Sequence, residues 1–318
     1  MPLEYSTLNA NYCATTSESL LLLNGPDSLK FLQGQATCDT DKLDEYHALP
    51  GAYCNPQGRM VCDFLLCQLG AQSFGLRMKR DIKATSAAVF GKYIVFSKAE
   101  LNENDEEWET LACWGEQVRE QLLSAIPQLP QEQYGSICGD GFCVVQLDTA
   151  GNQYECFINR NERAELIETI TSELIQAEES IWQSLQISAG MGRIQSANVE
   201  TFIPQMLNYD ITGHVSFTKG CYTGQEVVAR MHYRGKPKRR MYLASVSTDF
   251  EPEAGTALFS GEGSQSVGNV VNSAASSTGD VSMLVVATAA GVEQGLRLGD
   301  LDGPVLQIGS QPYSLEKP

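Results

Sequence analysis

Lys219-Gly220-Cys221-Tyr222-Thr223-Gly224-Gln225-Glu226 runs on into Val227-Val228-Ala229-Arg230 and stands apart from the rest of the chain. Gly220 and Gly224 permit tight or left-handed backbone on either side of one cysteine. Thr223 is placed to cap a helix opening near Gly224, with Glu226 three residues on, as in a capping box. Cys221 would then precede the positive end of a helix and neighbour Lys219, and both effects favour the thiolate. Two possibilities stand on local chemistry: a reactive thiol, or a turn whose cysteine packs. No general base is identifiable nearby.

Downstream, Arg230, Arg234, Lys236, Lys238, Arg239 and Arg240 place six bases and no acid within eleven residues. The segment is either an anion site for phosphate, RNA backbone or polycarboxylate, or a solvated linker paired with neighbouring acids. After Arg240 no helical period survives. Short strands are expected at Met241–Val246, Ala257–Phe259, Val267–Val271, Val281–Ala287 and Val305–Ile308, with Gly, Ser and Asp between them, which predicts a small all-β barrel or sandwich.

Upstream, strands are expected at Ser19–Asn24, Arg59–Leu69 and Ser73–Arg77, and a turn at Asn55-Pro56-Gln57-Gly58. Helices are expected after Pro26, with Gly34 as the stop, and over Asp81–Gly91, followed by a strand at Tyr93–Ser97. A second set follows: a strand at Glu109–Cys113, a helix at Gln117–Ser124 and strands at Phe142–Leu147 and Tyr154–Ile158. An amphipathic helix over Glu162–Ala177 stacks Leu166, Ile170 and Leu174. Strands and helices joined mostly by short links predict an α+β build with antiparallel sheets.

The composition bounds function. The 318 residues suggest two or three domains, and 42% hydrophobic with 19% charged residues fits a globular chain. A formal charge of −17 excludes broad electrostatic coating of nucleic acid or anionic lipid. Met1-Pro2-Leu3-Glu4 carries no positive charge ahead of an apolar run, and no stretch reaches about 18 apolar residues, so a cytoplasmic location is expected and no membrane span. The 10 cysteines include no CxxC pair and the three histidines are scattered, so no metal site is expected. Cys62 with Cys67, and Cys138 with Cys143, stand five apart in apolar, strand-like runs. Most cysteines read as small buried hydrophobes. Asp63, inside the apolar run Val61–Leu66, is either a buried functional acid or turned to solvent. Trp182 either stacks a flat heterocycle or belongs to the core.

Taken together, these residues resemble the YgfZ family, folate-binding relatives of the glycine-cleavage T-protein. Lys219–Glu226 fits the family's KGCYxGQE signature, continuing into Val228-Ala229-Arg230 and Arg234-Gly235-Lys236. Phe202-Ile203-Pro204-Gln205 and Val215-Ser216-Phe217 fit its lead-in. Gly25-Pro26-Asp27-Ser28 and Phe31-Leu32-Gln33-Gly34-Gln35 fit its first helix, and Pro312-Tyr313-Ser314-Leu315-Glu316 its C-terminal tail. The resemblance implies a three-domain ring around a central channel: two interleaved α+β domains, 1–45 with 175–237 and 46–174, and a C-terminal β barrel, 238–318.

It further implies binding of tetrahydrofolate or a one-carbon derivative. It implies an accessory role for iron–sulfur enzymes or their assembly machinery, notably the enzyme that methylthiolates tRNA. Cys221 is carried over as the signature thiol, and Trp182, Lys219, Tyr222, Gln225, Glu226, Arg230 and Arg234 as the expected folate contacts. Two departures fall at the pterin seat: Ser188 stands where relatives carry Glu, and no tryptophan stands near Glu18, where some relatives place one. Gly58–Asp63 lines up with the T-protein stretch bearing its essential Asp. This keeps open an alternative, a folate-dependent aminomethyl or one-carbon transferase with Asp63 as acid or base. Direct tRNA contact through Arg230–Arg240 is a third, minor expectation, opposed by the overall negative charge.

Overall fold

A computed structural model of the chain describes residues 9–261, 263, 265–275 and 279–315. The N-terminal Met1–Glu4 and Glu316 of the expected C-terminal motif lie outside the described residues. Three sheets organise the described residues. The first has five antiparallel strands in the order Leu49–Cys54, Met60–Gly70, Ser73–Lys79, Glu18–Asn24, Glu100–Asn102. The second has six, in the order Ile175–Gln176, Asn11–Ala14, Trp108–Trp114, Gln153–Asn159, Phe142–Gln146, Ser136–Gly139. Because Asn11–Ala14 joins this second sheet while Glu18–Asn24 joins the first, the two α+β layers exchange chain.

The third sheet runs Leu296–Leu298, Ala257–Ser260, Gly268–Ala275, Val281–Thr288, Arg239–Val246, Gln307–Ile308 and curls into a nearly closed barrel. Its inward positions, among them Leu258, Val270, Met283, Val285 and Leu296, are wholly buried. The opposite face of the same strands, with Val271, Leu284 and Val286, is buried too and joins the core of the first sheet. The α+β class with a C-terminal barrel-like sheet is therefore what the chain adopts.

Some local expectations change. Tyr93–Ser97 is not a strand: the helix Lys83–Ile94 covers its first residues, and Val95 and Phe96 follow it exposed, with no strand beside them. The sheet edge is instead filled by Glu100–Asn102. The amphipathic helix is shorter than its period suggests, Ala164–Glu173, because Ile175–Gln176 pairs in parallel with Asn11–Ala14; Leu166, Ile170 and Leu174 are nonetheless all buried. The strands Ser136–Gly139 and Leu296–Leu298 escaped the sequence patterns. So did a six-residue helix, Ala289–Gln294, capped by Thr288 Oγ1, which accepts from Gly291 N at 3.1 Å.

The expected capping box at the signature does not form. The helix Gln225–Arg234 is preceded by Gly224 in the left-handed region (φ 82°), and no side chain caps it. Thr223 Oγ1 donates instead to Gln35 Oε1 at 3.2 Å. Glycine is required at 224 twice over: the backbone is left-handed, and a Cβ there would stand 2.4 Å from Asn55 O. The turn Asn55–Gly58 and the signature loop thus lock together, and the strand Met60–Gly70 runs from this contact toward the middle of the molecule.

Candidate functional site

Strand alternation puts Met60, Cys62, Phe64 and Leu66 into one hydrophobic core, and Leu65, Cys67 and Leu69 into another. Asp63 shares the second face. It is buried, and its carboxylate meets Arg193, whose Nε donates to Oδ2, while Ile194 N donates to Oδ1 at 2.6 Å. Arg193 also reaches Glu18, Nη2 to Oε2 at 3.3 Å. Glu18 in turn meets Lys79 Nζ at 2.9 Å and Arg77 Nη1 at 3.6 Å, and Arg77 Nε donates to Glu155 Oε2 at 2.8 Å. Three carboxylates and three cations, contributed by both α+β sheets and the segment after helix Glu179–Ser188, form one closed network.

This network separates two chambers. The larger, about 320 Å³, is walled by Asp63, Arg77, Tyr134, Arg193, His214 and Tyr313 among others. The smaller, about 40 Å³, is bounded by Glu18, Lys79, Glu155, Trp182 and, from the barrel sheet, Asn272 and Ser273. Gln186, Met191 and Arg193 line both and form the partition. At the larger chamber, the Tyr134 hydroxyl is buried without a hydrogen-bond partner, an exception to the general satisfaction of buried polar groups. His214 lies flat on Tyr209, ring centroids 4.0 Å apart, and burial lowers its pKa to about 3, so it is a neutral ring at physiological pH.

Charge settles unevenly in the network. Burial raises the Glu18 carboxyl, but Arg193, Lys79 and Arg77 outweigh burial and hold it well below the usual carboxylate range. Glu155 goes the other way: burial, with Glu18 nearby, raises it despite Arg77. Arg193 is itself opposed by burial but held more firmly protonated by Asp63 and Glu18.

The sequence-derived site residues fall into two groups. Asp63 and Trp182 reach the central chambers. Trp182 is packed against Trp114 at 5.7 Å between ring centroids and is 3% exposed, and it forms a back wall of the smaller chamber. The signature residues lie elsewhere. Cys221 is exposed, and neither it nor any residue of Arg230–Arg240 lines either chamber. A single hollow gathering the indole, the thiol and the basic stretch is therefore not formed. The Gly224–Asn55 contact seats the signature loop against the turn that precedes the strand Met60–Gly70, outside the walls of both chambers.

Lys219 does not face the thiol either: its ammonium donates to Ala36 O at 2.8 Å and Cys38 O at 2.6 Å and lies 5.3 Å from the centre of the Tyr222 ring. Burial lowers the Lys219 pKa. Gln225 Nε2 donates to Gly220 O at 3.3 Å, Tyr222 is buried, and Glu226, Arg230 and Arg234 are exposed. Arg240 leaves the basic stretch to pair with Asp210, Nη2 to Oδ2 at 3.0 Å, whereas Lys236 and Lys238 are exposed. Ser188 Oγ donates to Ser184 O at 2.9 Å, inside its own helix.

Glu18, Arg77, Lys79, Glu155, Arg193, Tyr134 and His214 were not singled out from sequence. The signal that marked Asp63, a charge inside an apolar run, was equally present at Arg77 in Ser73–Lys79 and Glu155 in Gln153–Asn159. Arg193 and Tyr134 carried no such signal.

With this geometry in place, the chain was compared with known proteins. No family model matches it. It is 30% identical over 318 residues to the tRNA-modifying protein YgfZ of Pectobacterium atrosepticum, covering 99% of this chain and 95% of that one. It is 32% identical over 320 residues to the same-named protein of Photorhabdus laumondii, covering 99% and 96%. The chain belongs to the YgfZ family. The relative from Escherichia coli is 31% identical over 302 residues, covering 94% of this chain and 92% of that one. Among solved structures, aminomethyltransferase T of the glycine cleavage system from Bartonella henselae superposes with a TM-score of 0.77 at 17% identity, over 98% of this chain and 88% of that one, so the two share a fold. Among the described residues, no helix is long and apolar enough to cross a membrane.

The network makes a sign-definite prediction. A carboxyl depressed on folding contributes stability that is present above its ordinary pKa of 4.5 and is lost as pH falls through the lower folded value. Glu18→Gln should cost about 3–5 kcal/mol at neutral pH, since it leaves the largely buried Lys79 without a carboxylate and takes one of two from Arg77 and Arg193. The gap to the unsubstituted chain should narrow below pH 4.5. Urea unfolding across a pH series checks it, and a gap that stays constant into acid would refute the assignment.

Proposed function

We propose that the chain is a folate-binding accessory protein that supports iron–sulfur enzymes and, through them, tRNA modification. The observation that carries the folate site is the larger chamber, with its unpartnered Tyr134 hydroxyl beside a charge-lined wall. A volume of about 320 Å³ falls in the range of small-molecule sites. A reduced pterin is flat and rimmed by both donors and acceptors. Tyr134 would give it a hydrogen bond, and Arg77 would present a donor at the wall. Bound there, tetrahydrofolate would supply a one-carbon carrier. The protein's part is to bind, orient and exclude water. The names of the relatives support the tRNA connection, and the fold shared with an aminomethyltransferase supports the folate.

Calorimetric titration with tetrahydrofolate tests this. Binding is expected in the unsubstituted chain, and Tyr134→Phe should weaken it about 3- to 10-fold, the worth of one hydrogen bond of about 0.5–1.5 kcal/mol. No heat from either protein would defeat the proposal.

Cys221 is proposed as a thiol that acts outward, toward a protein partner, since it is exposed and apart from both chambers. Cys221→Ala should leave the unfolding midpoint unchanged and abolish support of tRNA methylthiolation in cells that depend on this protein. Full complementation by the variant would remove the thiol from the function.

A second proposal, a folate-dependent aminomethyl or one-carbon transferase, is favoured by the position of Asp63 in the chamber wall. Against it, both Asp63 oxygens already accept hydrogen bonds, from Arg193 and Ile194. Incubation with tetrahydrofolate and an aminomethyl donor should give no turnover. Turnover that disappears in Asp63→Asn would instead establish the enzyme.

A further inference from the structure

Eight of the ten cysteines are buried; Cys221 is exposed and Cys138 lies between. Cys138 and Cys143 are directly opposed in the hairpin formed by Ser136–Gly139 and Phe142–Gln146, which turns through Asp140-Gly141 with Gly141 at φ 73°. Their sulfurs are 2.8 Å apart. A disulfide needs sulfurs about 2.0 Å apart, so the two thiols of these directly opposed residues already stand within about 1 Å of bonding distance.

The hairpin also gives the two thiols different access. Ser136–Gly139 is the edge strand of its sheet, and Cys138 is half-exposed there, whereas Cys143 is wholly buried one strand further in. We propose that Cys138 and Cys143 are a redox-active dithiol that a peroxide oxidises to a disulfide, with Cys138 reacting first and Cys143 resolving it. Burial, together with the adjacent Cys138 and Cys67 thiols, holds Cys143 as the neutral thiol, which agrees with that order.

The electrons balance in two steps. The Cys138 thiol gives its proton to solvent, and its sulfur attacks one oxygen of hydrogen peroxide. The O–O bond breaks, hydroxide leaves and is protonated to water, and Cys138 becomes a sulfenic acid. The Cys143 sulfur then attacks the Cys138 sulfur and displaces hydroxide, which takes the Cys143 proton and leaves as a second water. Two thiols and one peroxide give one disulfide and two waters.

Two other thiol contacts supply internal comparisons. Cys67 also touches Cys143, but it lies on Met60–Gly70 of the other sheet, wholly buried, with its S–H directed to Gly75 O at 3.6 Å. Cys113 and Cys156 are neighbours on adjacent strands, yet both are wholly buried in the middle of the sheet, and their registers are diagonal: Cys113 opposes Tyr154, and Cys156 opposes Leu111. Both pairs lack the combination of direct opposition and access.

The test uses the full folded chain, freed of reductant and given hydrogen peroxide in equimolar and then excess amounts. Iodoacetamide is added on unfolding, and cleavage before Asp140 separates the two cysteines unless they are linked. The expected result is loss of alkylation at both Cys138 and Cys143, a linked fragment pair reversed by dithiothreitol, and full alkylation at Cys67, Cys113 and Cys156. Cys138→Ser, at the half-exposed position, should fold as the unsubstituted chain does and leave Cys143 fully alkylated after the same treatment. Two results would overturn the assignment: Cys138 and Cys143 both still alkylated at a dose that oxidises Cys221, or a Cys67–Cys143 bond in place of the hairpin pair.

Discussion

Arg193 joins the carboxylates of Glu18 and Asp63, and the rest of the molecule is arranged so that this contact is possible. Burying three acids and three bases is expensive unless every one is paired, and the attraction gained inside rarely exceeds the cost of removing ions from water. The cluster therefore says less about net stability than about geometry. Glu18 and Asp63 come from the first sheet, Glu155 from the second, and Arg193 from the segment beyond helix Glu179–Ser188. Arg77 bridges Glu18 of the first sheet to Glu155 of the second, and Arg193 ties Glu18 to Asp63, so the network fixes how the two α+β layers meet.

That meeting creates the chambers. Arg193, Gln186 and Met191 partition them, and the larger one retains a hydroxyl, Tyr134, whose hydrogen-bonding capacity no protein group meets. A buried neutral His214 stacked on Tyr209 adds a polar but uncharged wall. The same wall backs onto the cluster of Leu65, Cys67 and Cys143, against which Tyr134 and Cys138 pack. The larger chamber and the Cys138–Cys143 hairpin thus meet at Leu65 and Tyr134, while the exposed Cys221 belongs to a third place, beside the turn that precedes the strand Met60–Gly70.

Much of the architecture was legible from the sequence because strand and helix periods are local. Ser19–Asn24, Tyr154–Ile158 and Val281–Ala287 emerged close to their observed limits, since each is buried on both faces and reads as a short, nearly continuous apolar run. Misreadings came where a partner decided the outcome. Tyr93–Ser97 has strand-forming residues but no free sheet edge to join, and Thr223 has a capping side chain but a better partner in Gln35. Asp63 was detectable as a charge inside an apolar run, while Arg193 sits in a loop whose neighbours give no hint of its burial.

The sequence by itself determined the α+β class with its C-terminal barrel, the family signature around Cys221, and the presence of an acid within the apolar strand Met60–Gly70, whose burial was left to the fold. These follow from the spacing of residues close along the chain. Only the tertiary structure decided that Arg193 finds an acid 130 residues away, that Trp182 faces Trp114, and that Cys221 stands apart from the central chambers. Which charge meets which depends on how separate sheets pack, and local periodicity carries no record of that distance.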